Sequence, residues 1–409
     1  MLKKFAVQNY KNVVIKDALI FNNLNIFIGS NNSGKSNLIE AMSYPIDLFR
    51  LGFEQSVLKR RFRAMLNRYT ESDRISFEWT INTASGYSDL TYTLSLLIPE
   101  QDYHCNTMID AEKLAYAEPF QGQKKPFQWV SCHGSARGEC FFPIKKAGKT
   151  SSLKVEASLK ESIFNQIDRL FKRKDFTQFA YPLFYGTAES VKTYFGTWKY
   201  YQLANISVRD IKSYSKLRGE ERFVNEQCSN FANVLRVIFP KHPSFKMEYL
   251  EQLRKFMPVD SLDYEIVGDE NVNIFLMIKN RRFELNELSD GTVRLMVLLF
   301  LLCSPEKPKV LFIDEPELNL HPAWLRELSN IIRDASREIQ IFLSTHSPEL
   351  LDPMTYLLMQ QQANVYIFNR DGSVIPLTLS EELKSFINEG WELGDLYRVG
   401  DPSIGGWPW

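Results

Sequence analysis

The chain carries no excess charge of either sign: 49 Lys and Arg stand against 49 Asp and Glu. That balance argues against the domain-wide basic footprint by which proteins grip nucleic acid regardless of sequence. Two local patches remain, Lys59-Arg60-Arg61-Phe62-Arg63 and residues 169–174. Each reads first as a solvated helix face and second as a nucleic-acid contact. No apolar run reaches the roughly 18 residues of a membrane span, and Val293–Cys303 suits a buried helix instead. No long apolar stretch follows Met1-Leu2-Lys3-Lys4-Phe5, which argues against a secretory signal and for a cytoplasmic product. Cysteines are few: 105, 132, 140, 228 and 303. Their odd number argues against a disulfide framework, and His104, Cys105, Cys132, His133 and Cys140 match no common zinc spacing. Sustained heptads are missing between 43 and 284, so no long coiled coil is expected there.

What is present begins with Gly29-Ser30-Asn31-Asn32-Ser33-Gly34-Lys35-Ser36-Asn37. It fits G-x-x-x-x-G-K-[ST] and sits between the apolar run 24–28 and a helical pattern, the setting a phosphate-binding loop needs. Glycines let the backbone turn and point successive N–H groups at phosphate oxygens, and the following helix adds its positive end. Lys35 would reach the outer phosphates and Ser36 would help hold Mg²⁺. The segment Val310-Leu311-Phe312-Ile313-Asp314-Glu315-Pro316-Glu317 reads as a buried parallel strand delivering carboxylates at its C-terminal end. Asp314 would complete the Mg²⁺ shell and Glu315 would polarise the attacking water. Leu288-Ser289-Asp290-Gly291-Thr292 precedes a long apolar helix, and Ser289 or Asp290 could cap it. In this order Ser289 and Gly291 instead suggest a second phosphate-binding surface. Ile341-Phe342-Leu343-Ser344-Thr345-His346 is another strand, ending in a candidate γ-phosphate sensor, His346.

These segments resemble the ATP-binding-cassette ATPases of the branch containing RecF, Rad50, SMC and the OLD-type proteins, and most closely the bacterial stand-alone AAA_21-type ATPases. Residues 288–292 look like a degenerate signature loop, Asn319-Leu320-His321-Pro322 like the D-loop, and His346 like the switch histidine. Gly405-Gly406-Trp407-Pro408-Trp409 matches a tail found in those stand-alone proteins. The likeness is specific over 1–42 and 284–409 and weaker between. It implies an α/β P-loop head with an antiparallel β subdomain and a large, mixed, mainly helical insertion in place of a coiled coil. The expected division is 1–42 for the first half of the head, 43–283 for the β subdomain and insertion, and 284–409 for the second half. It further implies an ATP-linked head-to-tail homodimer, with Ser289 and Gly291 of one copy closing on the nucleotide held by Lys35 and Ser36 of the other. Tyr10-Lys11-Asn12-Val13 is where such ATPases approach adenine. Gln55 lies too close to Ser36 for a Q-loop, which is left unassigned. Asp290 replaces a signature glycine, and its charge would repel the γ-phosphate, so slow hydrolysis is expected.

In the middle region, 48–67 reads as helix, and 74–81 and 90–98 as a hairpin turning at Ser85-Gly86. Residues 117–150 are rich in Gly, Pro, Lys and aromatics, with an exposed loop expected at 134–138, and 153–184 read as mainly helical. A strand is expected over 197–206, helices over 220–239 (stopped by Pro240) and 245–257, and a hairpin over 262–267 and 272–278. The 63 residues after His346 leave no room for the Toprim nuclease of OLD-type proteins. The expected output is therefore a partner, a separately encoded nuclease or toxin effector in anti-phage defence. Two alternatives are a DNA-clamping repair or chromosome-maintenance ATPase, and an ATP-binding scaffold with negligible turnover.

Overall fold

A computed structural model of the chain describes residues 1–15, 17–82, 88–99, 107–119, 121–133, 138–146, 149–171, 181–268 and 270–404. The expected turn at Ser85-Gly86, most of the 134–138 loop, Cys105 and the 405–409 tail lie outside them. The chain forms two compact units. One comprises Met1–Asn22, Gly29–Lys199 and Tyr366–Pro376; the other comprises Asn23–Ile28, Tyr200–Val365 and Leu377–Trp409.

The first unit is built on an eight-stranded sheet in the order Leu19–Ile20, Leu2–Gln8, Arg74–Ile81, Leu90–Leu97, Met108–Tyr116, Gln128–His133, Glu139–Lys146, Lys149–Glu156. All seven neighbouring pairs in it run antiparallel. The expected hairpin is present, with Phe77 opposite Leu94 and Trp79 opposite Tyr92. Period-two alternation puts Ile75, Phe77, Trp79 and Ile81 inside. Tyr44, Phe77, Trp79 and Tyr92 stack in succession with ring centroids 5.3–5.5 Å apart, and the Trp79 indole donates to the Met42 carbonyl at 3.0 Å. Burying a side chain such as Phe77 contributes about 1.5–3 kcal/mol. Glu112 is fully buried and accepts from Tyr92 Oη (2.7 Å), Ser162 Oγ (2.6 Å) and the Ile163 amide (2.7 Å); burial pushes its carboxyl up.

Several expectations need correction here. Four strands lie between Met108 and Glu156, the last of them running into the start of the expected 153–184 helical region; the helical part begins at Ile163–Phe171 and resumes at Tyr181–Gly196. The 48–67 helix is broken at Gly52 (φ 82°) into Tyr44–Leu51 and Phe53–Lys59. Cys132 and Cys140 face each other across a hairpin and form a disulfide, Cα–Cα 4.0 Å, so neither thiol is left for zinc, and His133 bonds Ser131 Oγ at 2.9 Å. In the Lys59–Arg63 patch, Arg60 is neither solvated nor a nucleic-acid contact. It is buried and bonds Asp47 through Nε (3.1 Å) and Nη2 (2.9 Å), while Lys59 adds a third bond at 2.9 Å.

In the second unit, Val310–Asp314 and Gln340–Ser344 run parallel, with Asp314 opposite Ser344, and Gln340–Ser344 pairs with the 24–27 stretch in the same sense. Each residue of Val310–Asp314 and Gln340–Ser344 is buried, as parallel strands covered on both faces require. The helix Asp290–Cys303 is buried from Val293 to Leu302, and Tyr249 Oη donates to its Met296 carbonyl at 2.5 Å. A smaller sheet pairs Ser261–Val267 with Asn271–Ile278 as expected, and adds Ser215–Lys216 and Arg281–Glu284. The expected 220–239 helix spans Phe231–Lys241, with Pro240 inside its last turn. Before it, Asn230 Oδ1 accepts from the Asn225 amide at 2.9 Å, a side-chain bond that competes with helix. The expected 197–206 strand is only Lys199–Gln202, followed by a 3₁₀ turn. No helix among the described residues is long and apolar enough to cross a membrane.

Candidate functional site: a phosphate loop and an acidic strand

The strand Leu24–Gly29 leads by chain continuity into the phosphate loop. Gly29 has φ +144°, and a Cβ there would stand 2.5 Å from the Phe368 carbonyl oxygen, so only glycine fits. Asn32 (φ 63°) and Gly34 (φ 108°) are also left-handed. Helix Lys35–Met42 follows, with no acidic residue in its first turn to offset its positive end. Lys35 is buried and folds back, its Nζ 2.9 Å from both the Gly29 and Ser30 carbonyls. The Ser33 hydroxyl is buried without a partner. Buried polar groups in native structures are nearly always bonded, so this hydroxyl is available to a ligand seated in the loop. Asn31 and Asn32 are exposed; Ser36 and Asn37 are half-buried.

The second unit assembles the acidic strand and the histidine. Asp314 is buried and accepts from Ser344 Oγ. Glu315 is a non-glycine residue at φ 53°, a conformation that costs on the order of 1–3 kcal/mol. Its amide is held by Ser344 Oγ (3.1 Å) and the Ser344 carbonyl (3.2 Å). Its carboxylate is half-exposed and 3.6 Å from His346 Nε2. Glu317 had no role assigned from sequence, yet it fastens the histidine. Its Oε1 accepts from the His346 amide (2.7 Å) and Thr345 Oγ1 (2.9 Å), and its Oε2 is buried without a partner. Burial pushes the Glu317 carboxyl above the usual range.

At the signature segment Ser289 is the cap: its Oγ accepts from the Thr292 amide at 3.1 Å. Asp290 does not cap. It pairs with Lys212 Nζ at 2.5 Å, and this bond holds its carboxyl below the usual range. The bare charge expected to repel phosphate thus has a cationic neighbour. A Cβ on Gly291 would stand 2.4 Å from the Asn319 carbonyl oxygen, so the signature and D-loop segments meet backbone to backbone. His321 caps the next helix, its Nδ1 accepting from the Ala323 amide at 3.1 Å.

Among the described residues, one group of carboxylates could hold a metal: Asp352, Glu392 and Asp395, with ligand atoms within 4.8 Å of one another. Arg398 already pairs with Asp352 (3.2 Å) and Asp395 (2.7 Å), and Arg326 with Glu392 (2.9 Å).

Residues 190–352 match the AAA_21 family, described as "AAA domain, putative AbiEii toxin, Type IV TA system". No curated protein matches. Among solved structures the chain is similar to an SMC head bound to the C-winged helix domain of ScpA, at 15% identity and TM-score 0.52, covering 94% of this chain and 99% of that one. An SMC head with an extended coiled coil from Pyrococcus furiosus gives 11% identity and TM-score 0.46, over 95% and 98% of the two chains. The recombination mediator RecF gives 15% and 0.42, over 92% and 98%. By fold the chain is similar to an SMC head, an α/β P-loop-like architecture with an antiparallel sheet and a mixed helical insertion, and its residues 190–352 match the AAA_21 model.

Proposed function

We propose that this chain binds and hydrolyses Mg²⁺-ATP, and that ATP-linked pairing of two copies switches a separately encoded effector, a nuclease or toxin in anti-phage defence. The observation that carries the reading is the phosphate loop itself: left-handed Asn32 and Gly34, a buried Lys35 resting on loop carbonyls, and an unpartnered buried Ser33 hydroxyl. These fit a polyphosphate. Gly29, Asn31, Asn32, Ser33, Gly34 and Asn37 line or support the loop, and Lys35 exchanges its carbonyl contacts for outer phosphate oxygens. Ser36 and Asp314 are the residues to hold Mg²⁺, which when bound neutralises charge on the transferring phosphoryl group. Glu315 orients and deprotonates the attacking water. His346 donates to the γ-phosphate. Ser289 and Gly291 of a second copy present a helix start to the same phosphate. The effector half of the proposal leans on the toxin-system description of the matching family, and on the SMC head being one that binds another protein.

Light scattering of the Glu315→Gln variant tests the pairing. Its mass should double on adding ATP and Mg²⁺ and return when nucleotide is removed. A mass indifferent to nucleotide would overturn the switch.

The Lys212–Asp290 pair yields a second test. Asp290→Asn should change ATP turnover less than about twofold, because Lys212 already offsets the charge, whereas Lys212→Ala should lower it by about threefold to fivefold. Asp290→Asn added to Lys212→Ala should restore it. A large acceleration by Asp290→Asn alone would return the carboxylate to the role of a brake.

A further inference from the structure

Asn12 lies outside the phosphate loop in sequence but is bound into it. Its Nδ2 donates to the Asn32 carbonyl at 2.9 Å. Its Oδ1 accepts from Asn37 Nδ2 at 2.7 Å. One side-chain amide thus joins the crest of the loop to the first turn of the helix behind it. Gly34 lies beneath this bridge: a Cβ there would stand 3.0 Å from Asn12 Oδ1. The second glycine of the motif therefore leaves room for Asn12 as well as turning the chain at φ 108°.

Asn12 is itself held. Lys11 Nζ donates to Asn37 Oδ1 at 3.2 Å and pairs with Glu40. The Asn12 carbonyl packs where a Cβ on Gly372 would come within 2.0 Å, and the Val14 amide donates to the Gly372 carbonyl at 2.9 Å. The segment is anchored on both sides, so the amide bridge acts from a fixed platform.

The consequence falls on Asn32. A left-handed asparagine between ordinary neighbours turns successive N–H groups toward one point, forming an anion nest. Fixing its carbonyl fixes that peptide plane before any ligand arrives. Binding then spends little on ordering the loop.

We propose that Asn12 is a positioning residue that pre-forms the phosphate loop for the outer phosphates of the nucleotide, acting through Asn32 rather than touching the base. The inference rests on the ATP reading above. Asn12→Ala should weaken inorganic tripolyphosphate and ATP by the same factor, about tenfold. The unliganded melting temperature should fall by less than about 2 °C. Asn12→Ser keeps a hydroxyl donor and should recover part of the loss, to about threefold. It also serves if the alanine variant fails to fold.

Calorimetric titration of tripolyphosphate and ATP into the full-length protein and both variants decides it. Equal losses for the two ligands support the proposal. A loss for ATP with none for tripolyphosphate would make Asn12 a base contact and overturn it, as would unchanged affinity for both. If the wild type binds neither ligand, the ATP reading itself fails; if the wild type binds both and Asn12→Ala matches it, only the role of Asn12 fails.

Discussion

Glu315→Gln should lower ATP turnover at least about a hundredfold while leaving ATP affinity and melting temperature near wild type. The amide is isosteric with the carboxylate, so the strained backbone at φ 53° and its two bonds to Ser344 persist. What is lost is the basic oxygen facing His346 across 3.6 Å. Phosphate release under saturating ATP is the measurement. Turnover above about a tenth of wild type would mean that another group activates the water, because general-base contributions are typically two to four orders of magnitude.

Glu317→Ala should be the most damaging change outside the loop and the proposed general base, Glu315. It strands the His346 amide and the Thr345 hydroxyl, and each buried donor left unpaired costs about 1–3 kcal/mol. The melting temperature should drop by roughly 5 °C or more. Turnover should fall about tenfold or more as His346, the proposed γ-phosphate sensor, loses its anchor. Glu317→Gln separates packing from charge: its Oε1 can keep both bonds, and its NH₂ replaces an oxygen that has no partner. That variant should fold and turn over nearly as wild type. The pH dependence carries the opposite sign to that of a salt-bridged acid. Because burial raises the folded carboxyl, its contribution to stability is present below the ordinary carboxyl range and is lost as pH rises through the raised value. Wild type should therefore lose stability over that interval and Glu317→Gln should lose less, which melting curves from about pH 4 to 8 would show. If Glu317→Ala melts and turns over like wild type, the histidine is anchored by something else.

The strands and helices next to the motifs were legible because sequence pattern and burial coincide there. Val310–Asp314 and Gln340–Ser344 are apolar runs fully inside parallel pairings, and the helix Asp290–Cys303 is enclosed and, Arg294 apart, apolar from Val293 to Leu302. The sheet over 108–156 was not legible, for local reasons. Register shifts between Ser95 and Leu96 and between Leu114 and Ala115 break the two-residue period, and a buried Glu112 occupies an interior position. The Cys132–Cys140 bridge was missed because counting cysteines takes no account of which two meet across a hairpin. In the candidate site the loop, the acids and the histidine carry motif signals. Glu317 and Asn12 lie within motif segments, but the bonds that give them their positions were not legible, since their partners lie 28–29 and 20–25 residues away in sequence. Lys212 is further still, 78 residues from Asp290.

The order in which the chain leaves the ribosome gives the Leu24–Gly29 strand a different meaning. Its parallel neighbour, which sets Ile341 opposite Leu24, is synthesised more than three hundred residues later. Each compact unit is likewise assembled from three separate stretches, one of them near the end of the chain. The apolar strand at 24–27 therefore lacks this parallel partner until residues 341–344 have been made. Pairings this distant are slow to close and leave strand edges exposed meanwhile. Newly made chains of this protein should thus depend on holding chaperones until Gln340–Ser344 has emerged, and truncated chains ending before it should aggregate whatever the quality of the phosphate loop they contain.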